Sequence, residues 1–309
     1  MEPASSEERT FRSYTPGQAN TYAALRGSYH EKLYDVIIDH HRSTGGSFHT
    51  LLDVGCGPGN ATRPSAKHFN TAYGLDSGTE MINTARQISA DAEAPETAGG
   101  GQIEFVEGTA EEMAFLRDTG RKVDLITAAT AVHWFDIPRF WATAAKVLNP
   151  GGTVALWTLA SHYCHPSMPN AAKVQEIMFR LEREELGPYE LPGNRLARDA
   201  YENLLLPWNV QPSVEGFSES GYTRKDWDRD GILSDGEHFF LGDHVATKTQ
   251  AEKVLGTGSM ATRWRKAHPE LAGTEQDVVK RMIRDVWEVI GREEVVFGHS
   301  CHLLLFKRD

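Results

Sequence analysis

Three glycines alternate at Gly55, Gly57 and Gly59 behind the apolar run Leu51-Leu52-Asp53-Val54, with the carboxylate of Asp53 two residues ahead of the first. Alternating glycines after a strand let the chain turn tightly and leave bare main chain against which a ligand can lie. A dinucleotide turn would read Gly-x-Gly-x-x-Gly, with its last glycine packing a helix under a pyrophosphate. Here the third glycine comes one residue early and an acid guards the entrance. That pattern suits a ligand with a nucleoside, a cationic group and no phosphate. Asp76 closes the next apolar run, 17 residues after Gly59, where a carboxylate can accept hydrogen bonds from both ribose hydroxyls. The structural alternative for Asp76 is a helix N-cap, a role that Asp favours. Met81 offers a polarizable thioether to a purine or, equally simply, fills the core. Thr109 and Ala110 fall at the purine's edge, with one hydroxyl and backbone groups to offer. His133 and Trp134 follow a fourth strand. Histidine is the usual general base, and its bland alternative is a ring packed among aromatics.

These residues need strands to carry them. Apolar runs at 51–54, 72–75, 103–106, 123–129 and 153–158 alternate with helical patterns near 60–69, 78–89 and 138–147, which predicts crossover units and a parallel sheet with helices on both faces. In such a sheet ligands bind beyond the carboxyl ends of the strands, which selects the loops 55–60, 76–78, 107–110, 130–136 and 159–163. Residues 29–41 read as an amphipathic helix, and 1–20 as a polar arm. After Ala160 the rhythm breaks. Helices are expected over 170–186 and 194–206, then a polar, turn-rich stretch to about 236. Glu237–Leu241 reads as a strand, 249–266 and 275–290 as helices, and 294–306 as a terminal strand. The resulting domain expectation is an arm and helix over 1–45, a ligand-binding core over 46–160, a cap insertion over 161–235, and completion of the core sheet by 236–309.

With 309 residues, 40% hydrophobic and 24% charged, the composition is that of an ordinary globular protein. A net charge of −11 argues against non-specific attraction to nucleic acid or an anionic membrane. Cys56, Cys164 and Cys301 have neither disulfide-framework nor zinc spacing. The N-terminus is polar and acidic, unlike a secretory signal, and no apolar run approaches the roughly 20 residues of a membrane span. A cytoplasmic protein, monomer or homodimer, is expected. His162-Tyr163-Cys164-His165 lacks distant partners for a metal, so no metal is expected. His40-His41 suits a helix end or solvent, and Glu182-Arg183-Glu184-Glu185 a solvated helix face.

The glycine loop, Asp76, Val132-His133-Trp134-Phe135-Asp136 and Leu148-Asn149-Pro150-Gly151-Gly152-Thr153 together resemble class I S-adenosylmethionine-dependent methyltransferases, over about residues 50–160. A narrower resemblance is to fungal trans-aconitate methyltransferases and related small-acid methyltransferases. It is carried by Tyr22-x-x-x-Arg26-x-x-Tyr29, by His133-Trp134-Phe135-Asp136, by Gly187-Pro188-Tyr189 and by Pro192-Gly193-Asn194-Arg195, with Gly27 standing where that family has proline. The resemblance implies an α/β Rossmann-like sheet of order 3-2-1-4-5-7-6 with an inserted helical cap. It implies S-adenosylmethionine as cofactor, S-adenosylhomocysteine as product, and a small carboxylic acid as substrate. Asp53, Gly55, Gly57, Gly59, Asp76, Met81, Thr109, Ala110, Tyr22 and Arg26 would then face the cofactor. His133, Trp134, Tyr189, Arg195 and Arg263 would face the substrate, with His133 nearest the chemistry.

A carboxylate, with a reference pKa of roughly 4, is already ionised at neutral pH and needs no base. Alignment with the methyl donor, worth on the order of 7–11 kcal/mol in favourable cases, and an arginine fork for a second carboxylate would do most of the work. Methylation of a phenol, nitrogen or carbon is the enzymatic alternative, and there His133 would matter as a base. A non-catalytic S-adenosylmethionine-binding regulator is the alternative outside enzymes. A nicotinamide oxidoreductase would require the Gly-x-Gly-x-x-Gly turn that is missing.

Overall fold

The computed structural model describes residues 11–92 and 96–309. Contacts divide the chain into two compact units. The first, called here the loop unit, comprises Phe11–Thr158, Asp199–Lys225 and His302–Asp309; the second comprises Leu159–Arg198 and Asp226–Cys301. The first ten residues of the expected arm lie outside the described residues.

Among the described residues eight strands form one sheet: β1 (Thr50–Val54), β2 (Thr71–Asp76), β3 (Glu104–Glu107), β4 (Val123–Ala129), β5 (Leu148–Cys164), β6 (Phe217–Trp227), β7 (His244–Thr247) and β8 (Glu294–Arg308). Their order is β3-β2-β1-β4-β5-β8-β6, with β7 antiparallel to the start of β8. The expected order holds along the main path, where the last strand of the chain inserts between the fifth and sixth, and the short β7 is additional. The pairs β1·β2, β1·β4, β2·β3 and β4·β5 are all parallel. Strands buried on both faces read as continuous apolar runs, and β1, β2 and β4 do so.

The expected strand at Glu237–Leu241 does not form. Asp235 Oδ1 accepts the backbone N–H groups of Glu237 and His238, Asp243 Oδ1 that of Phe239, and Asp228 Oδ2 that of Phe240. Aspartate side chains thereby take the donors that a strand would give to its neighbour, a competition that Asp wins in turns. The strand lies instead at Phe217–Trp227, in the stretch read as turns. It is the last strand of the sheet path, and only its first residue is buried, so apolar periodicity could not announce it. Residues 199–225, inside the expected insertion, group with the loop unit.

The second unit has its own core. Val174, Ile177 and Met178 from the helix Ala171–Arg180 meet Val279, Met282, Ile283 and Val286 from Val278–Ile290, with Trp264 alongside. In the loop unit, His41 at the end of the helix Glu31–Ser43 is fully buried rather than facing solvent. Its Nε2 donates to the Ser47 carbonyl at 2.8 Å, which leaves Nδ1 to accept from Thr153 Oγ1 at 2.8 Å. Burial lowers its pKa and keeps it neutral.

Candidate active site

The glycine loop is pinned to the end of β2: the N–H groups of Gly55 and Cys56 both donate to the Leu75 carbonyl, at 2.7 and 3.1 Å. One residue on, Gly57 N–H donates to Asp76 Oδ2 at 2.9 Å, while Gly78 N–H donates to Oδ1 at 2.7 Å. The N-cap of the helix Thr79–Ala90 is Gly78, so the capping alternative for Asp76 does not apply. Burial raises the Asp76 pKa, and the two N–H donors and the Arg12 charge pull it back. Gly57 and Gly59 are glycines for different reasons. Gly57 has φ +54°, and a Cβ there would point into open space beside Asp76. A Cβ on Gly59 would lie 2.7 Å from both the Phe105 ring and the Arg63 guanidinium.

Asp53 sits beneath the loop, fully buried, and accepts from Thr62 Oγ1 at 2.6 Å and Thr127 Oγ1 at 2.7 Å. Those bonds tie β1 to β4 and to the helix Thr62–Ala66. Burial pushes its pKa up to about 6 against the two threonine bonds, with the nearby Asp76 adding to the rise.

The described part of the arm packs on this end of the sheet. The helix Pro16–Leu25 starts with a capping box, in which Thr15 Oγ1 accepts from Gln18 N–H and Gln18 Oε1 accepts from Thr15 N–H. Tyr14, Ala19 and Met81 form a small cluster, with Phe11 and Tyr22 against it, and Met81 is only 2% exposed. The Arg26 guanidinium lies 5.7 Å from the Tyr22 ring centre, and the Asn60 side chain donates to the Arg26 carbonyl. Beyond β3, Gly108 N–H donates to the Asp76 carbonyl at 2.9 Å, Thr109 supplies a carbonyl to Met113 N–H, and Ala110 is buried.

Beyond β4 the backbone is strained. Thr130 takes φ +48°, a left-handed value uncommon outside glycine. Its Oγ1 lies 2.5 Å from the Tyr29 hydroxyl. A 3-10 turn, Val132–Trp134, then carries His133, whose Nδ1 is 2.8 Å from the Tyr201 hydroxyl. The His133 ring centre is 4.7 Å from that of Trp134, and Trp134 in turn meets Phe11 edge-on at 6.5 Å. His133 is half-buried, and desolvation pushes its pKa down to about 3. Asp136 caps the next helix, Ile137–Val147.

Tyr189, Arg195 and Arg263 lie in the second unit. Tyr189 and Arg263 come together: Arg263 Nε donates to the Tyr189 carbonyl at 2.7 Å, and the Tyr189 hydroxyl is 2.6 Å from His268 Nε2. Arg195 stands apart, its side chain 68% exposed and paired with Glu190 at 3.0 Å. A cavity of about 160 Å³ in this unit is lined by Glu182, Glu190, Asn194 and Arg198 with Leu159, Ala197 and Met260. It takes Arg198, one helical turn beyond the expected Arg195. Glu182 was expected on a solvated face, but the chain there forms a π turn, Leu181–Glu185, and Glu182 accepts from Ser161 Oγ at 2.8 Å. Among the described residues, no three His, Cys, Asp or Glu side chains are grouped to hold a metal, and no helix is long and apolar enough to cross a membrane.

Residues 52–156, from β1 into β5, match the family of the methyltransferase domain. The chain is an S-adenosylmethionine-dependent methyltransferase. The methyltransferase is 22% identical over 276 residues to a probable S-adenosylmethionine-dependent methyltransferase, CRG1, of Saccharomyces cerevisiae, covering 89% of this chain and 88% of that one. It is 26% identical over 217 residues to methyltransferase cfoB of Aspergillus candidus, covering 67% of this chain and 65% of that one. Its fold resembles that of a type II methyltransferase structure from Anaeromyxobacter dehalogenans, with a TM-score of 0.61 and 20% identity, covering 92% of this chain and 97% of that one. Sequence reasoning missed Tyr201 and Arg198. Nothing local marked Tyr201, whereas the i, i+3 spacing of Arg195 and Arg198 offered a signal for the second.

Proposed function

We propose that this methyltransferase esterifies a carboxylate of a small organic acid, trans-aconitate-like or an aromatic or furan acid, as the resemblance of the arm and of 187–195 suggests. The observation that carries this reading is His133. Its ring is held by Tyr201, and desolvation pushes its pKa down to about 3. A base of that kind does not deprotonate a phenol, whose reference pKa is about 10. A carboxylate arrives ionised and asks only to be oriented and desolvated.

The cofactor fits the loop unit on the evidence of Gly57, where open space lies over bare backbone beside the Asp76 carboxylate. Bound there, S-adenosylmethionine supplies the electrophilic methyl group. Asp76 would accept from its ribose hydroxyls, Gly55, Gly57 and Gly59 would give it main chain to lie on, and Asp53 would keep the loop in shape. Met81, Thr109, Ala110, Tyr22 and Arg26 are the proposed walls around it. His133 and Trp134 would orient the acid. Tyr189, Arg195 and Arg263 are proposed substrate contacts resting on the sequence resemblance, and Arg198 joins them through its cavity.

The test is mass spectrometry of reactions with isotopically labelled cofactor and a panel of mono-, di- and tricarboxylic acids, phenols and amines. A methyl group gained by an acid and removed by alkaline hydrolysis is the expected result. Label passing only to phenols or amines would overturn the carboxylate assignment.

A further inference from the structure

We propose that the cavity of the second unit is a binding site for a small alkylammonium group, held by the carboxylate of Glu182. The site does not rest on the carboxylate reading above, and an acid that also carries an amine would satisfy both.

The argument is a count of partners. Four polar side chains line the cavity: Glu182, Glu190, Asn194 and Arg198. Glu190 has two cations, Arg195 at 3.0 Å and Arg198, so Arg198 is already engaged. The Asn194 amide accepts from Leu191 N–H at 3.1 Å and donates to Ser259 Oγ at 3.0 Å. Glu182 is the exception. Its Oε2 accepts from Ser161 Oγ at 2.8 Å, and among the described residues no second hydrogen bond and no ion pair reaches the carboxylate. Arg183, next in the chain, lies over the Phe179 ring at 3.9 Å instead. A half-buried carboxylate without a counter-ion is unfavourable, and burial raises its pKa accordingly. Oε1 is the open acceptor, and the partner that best offsets the desolvation is a cation that can also donate.

The local fold aims this group. Glu182 follows Val174 and Met178 at i, i+4 spacing, along the row that packs the core of this unit. A helix built for packing alone carries an apolar side chain there. The helix instead gives way to the π turn Leu181–Glu185, a winding found mostly at functional sites. One water needs roughly 10–15 Å³ of cavity. The volume here is about 160 Å³, room for a small organic molecule. Leu159, Ala160, Ala197 and Met260 give its alkyl chain an apolar wall.

The probe is propylammonium chloride, titrated into the full chain at constant ionic strength, with sodium propionate and n-propanol as controls of similar size. Protein labelled with ¹³C at the methionine methyls reports the site directly, with Met260 assigned by Met260→Leu. Propylammonium is expected to shift the Met260 methyl saturably and to bind at least about tenfold more tightly than either control, as a charge-assisted contact does. A Met260 methyl that propylammonium leaves in place, or that propionate or propanol moves equally well, overturns the proposal without any variant having to fold. Glu182→Gln keeps the shape of the side chain, removes its charge and should weaken propylammonium about tenfold. Ala197→Phe fills the cavity and should abolish binding. Unchanged affinity in Glu182→Gln, its fold checked by thermal unfolding, overturns the role of Glu182. If the acid panel stays unmethylated while propylammonium binds as stated, the carboxylate reading alone has failed.

Discussion

The glycine-loop site and the cavity of the second unit are built from different materials. Around Gly57 the chemistry is main chain: N–H groups of Gly57 and Gly78 on one carboxylate, and those of Gly55 and Cys56 on one carbonyl. Around Glu190 it is side chain. Arg195 and Arg198 share a glutamate that is 6% exposed, and Glu182 is turned inward by a π turn. Backbone positions follow from strand ends and are cheap to hold in place. Paired side chains must offset both desolvation and lost rotamer freedom. A site made of backbone tolerates little substitution, whereas in a site made of charges each loss depends on how deeply its partner is buried.

Asp76→Ala offers the sharpest way to break that contrast. It removes the proposed ribose acceptor and frees two loop N–H groups together, so cofactor affinity should fall by about a hundredfold to a thousandfold. Isothermal titration calorimetry against S-adenosylhomocysteine reads it, and an unchanged Kd would remove Asp76 from the cofactor site.

Asp53 tests the loop's support through pH. Its folded pKa of about 6 lies above the ordinary value. Between roughly pH 4 and 6 the native state therefore keeps a proton that the unfolded chain has released, and stability falls as pH rises through that window, by about 3 kcal/mol. Asp53→Asn removes this slope. His133 acts in the opposite direction, because below its ordinary pKa of 6.5 the unfolded chain takes up a proton that the native state refuses. The informative quantity is thus the difference between wild type and Asp53→Asn in denaturant titrations at several pH values. Parallel stability curves would show that Asp53 is ionised throughout.

Smaller effects separate the two arginines. Arg198→Ala leaves the buried Glu190 short of its better-shielded partner and should cost about 2 kcal/mol. Arg195, largely exposed, should cost less than about 1 kcal/mol. Urea unfolding of the two variants checks the order, and equal losses would mean that Glu190 is shared evenly.

The sequence alone determined the alternating core, the glycine loop and the placing of Asp76 and His133 at strand ends, features that follow from local apolar runs, glycine spacing and a topology rule that needs no contact information. The sheet order of the main path came from the family resemblance and not from those runs. Only the tertiary structure decided that Asp aspartate turns replace the strand at 237–241, that Arg198 lines the cavity, and that Tyr201 holds His133. Each of these depends on groups far apart in the chain or on backbone that no residue type announces. Tyr201 lies 68 residues from His133 and reaches it through two consecutive left-handed residues. Non-glycine side chains adopt that conformation only when the surrounding fold makes it the lesser cost.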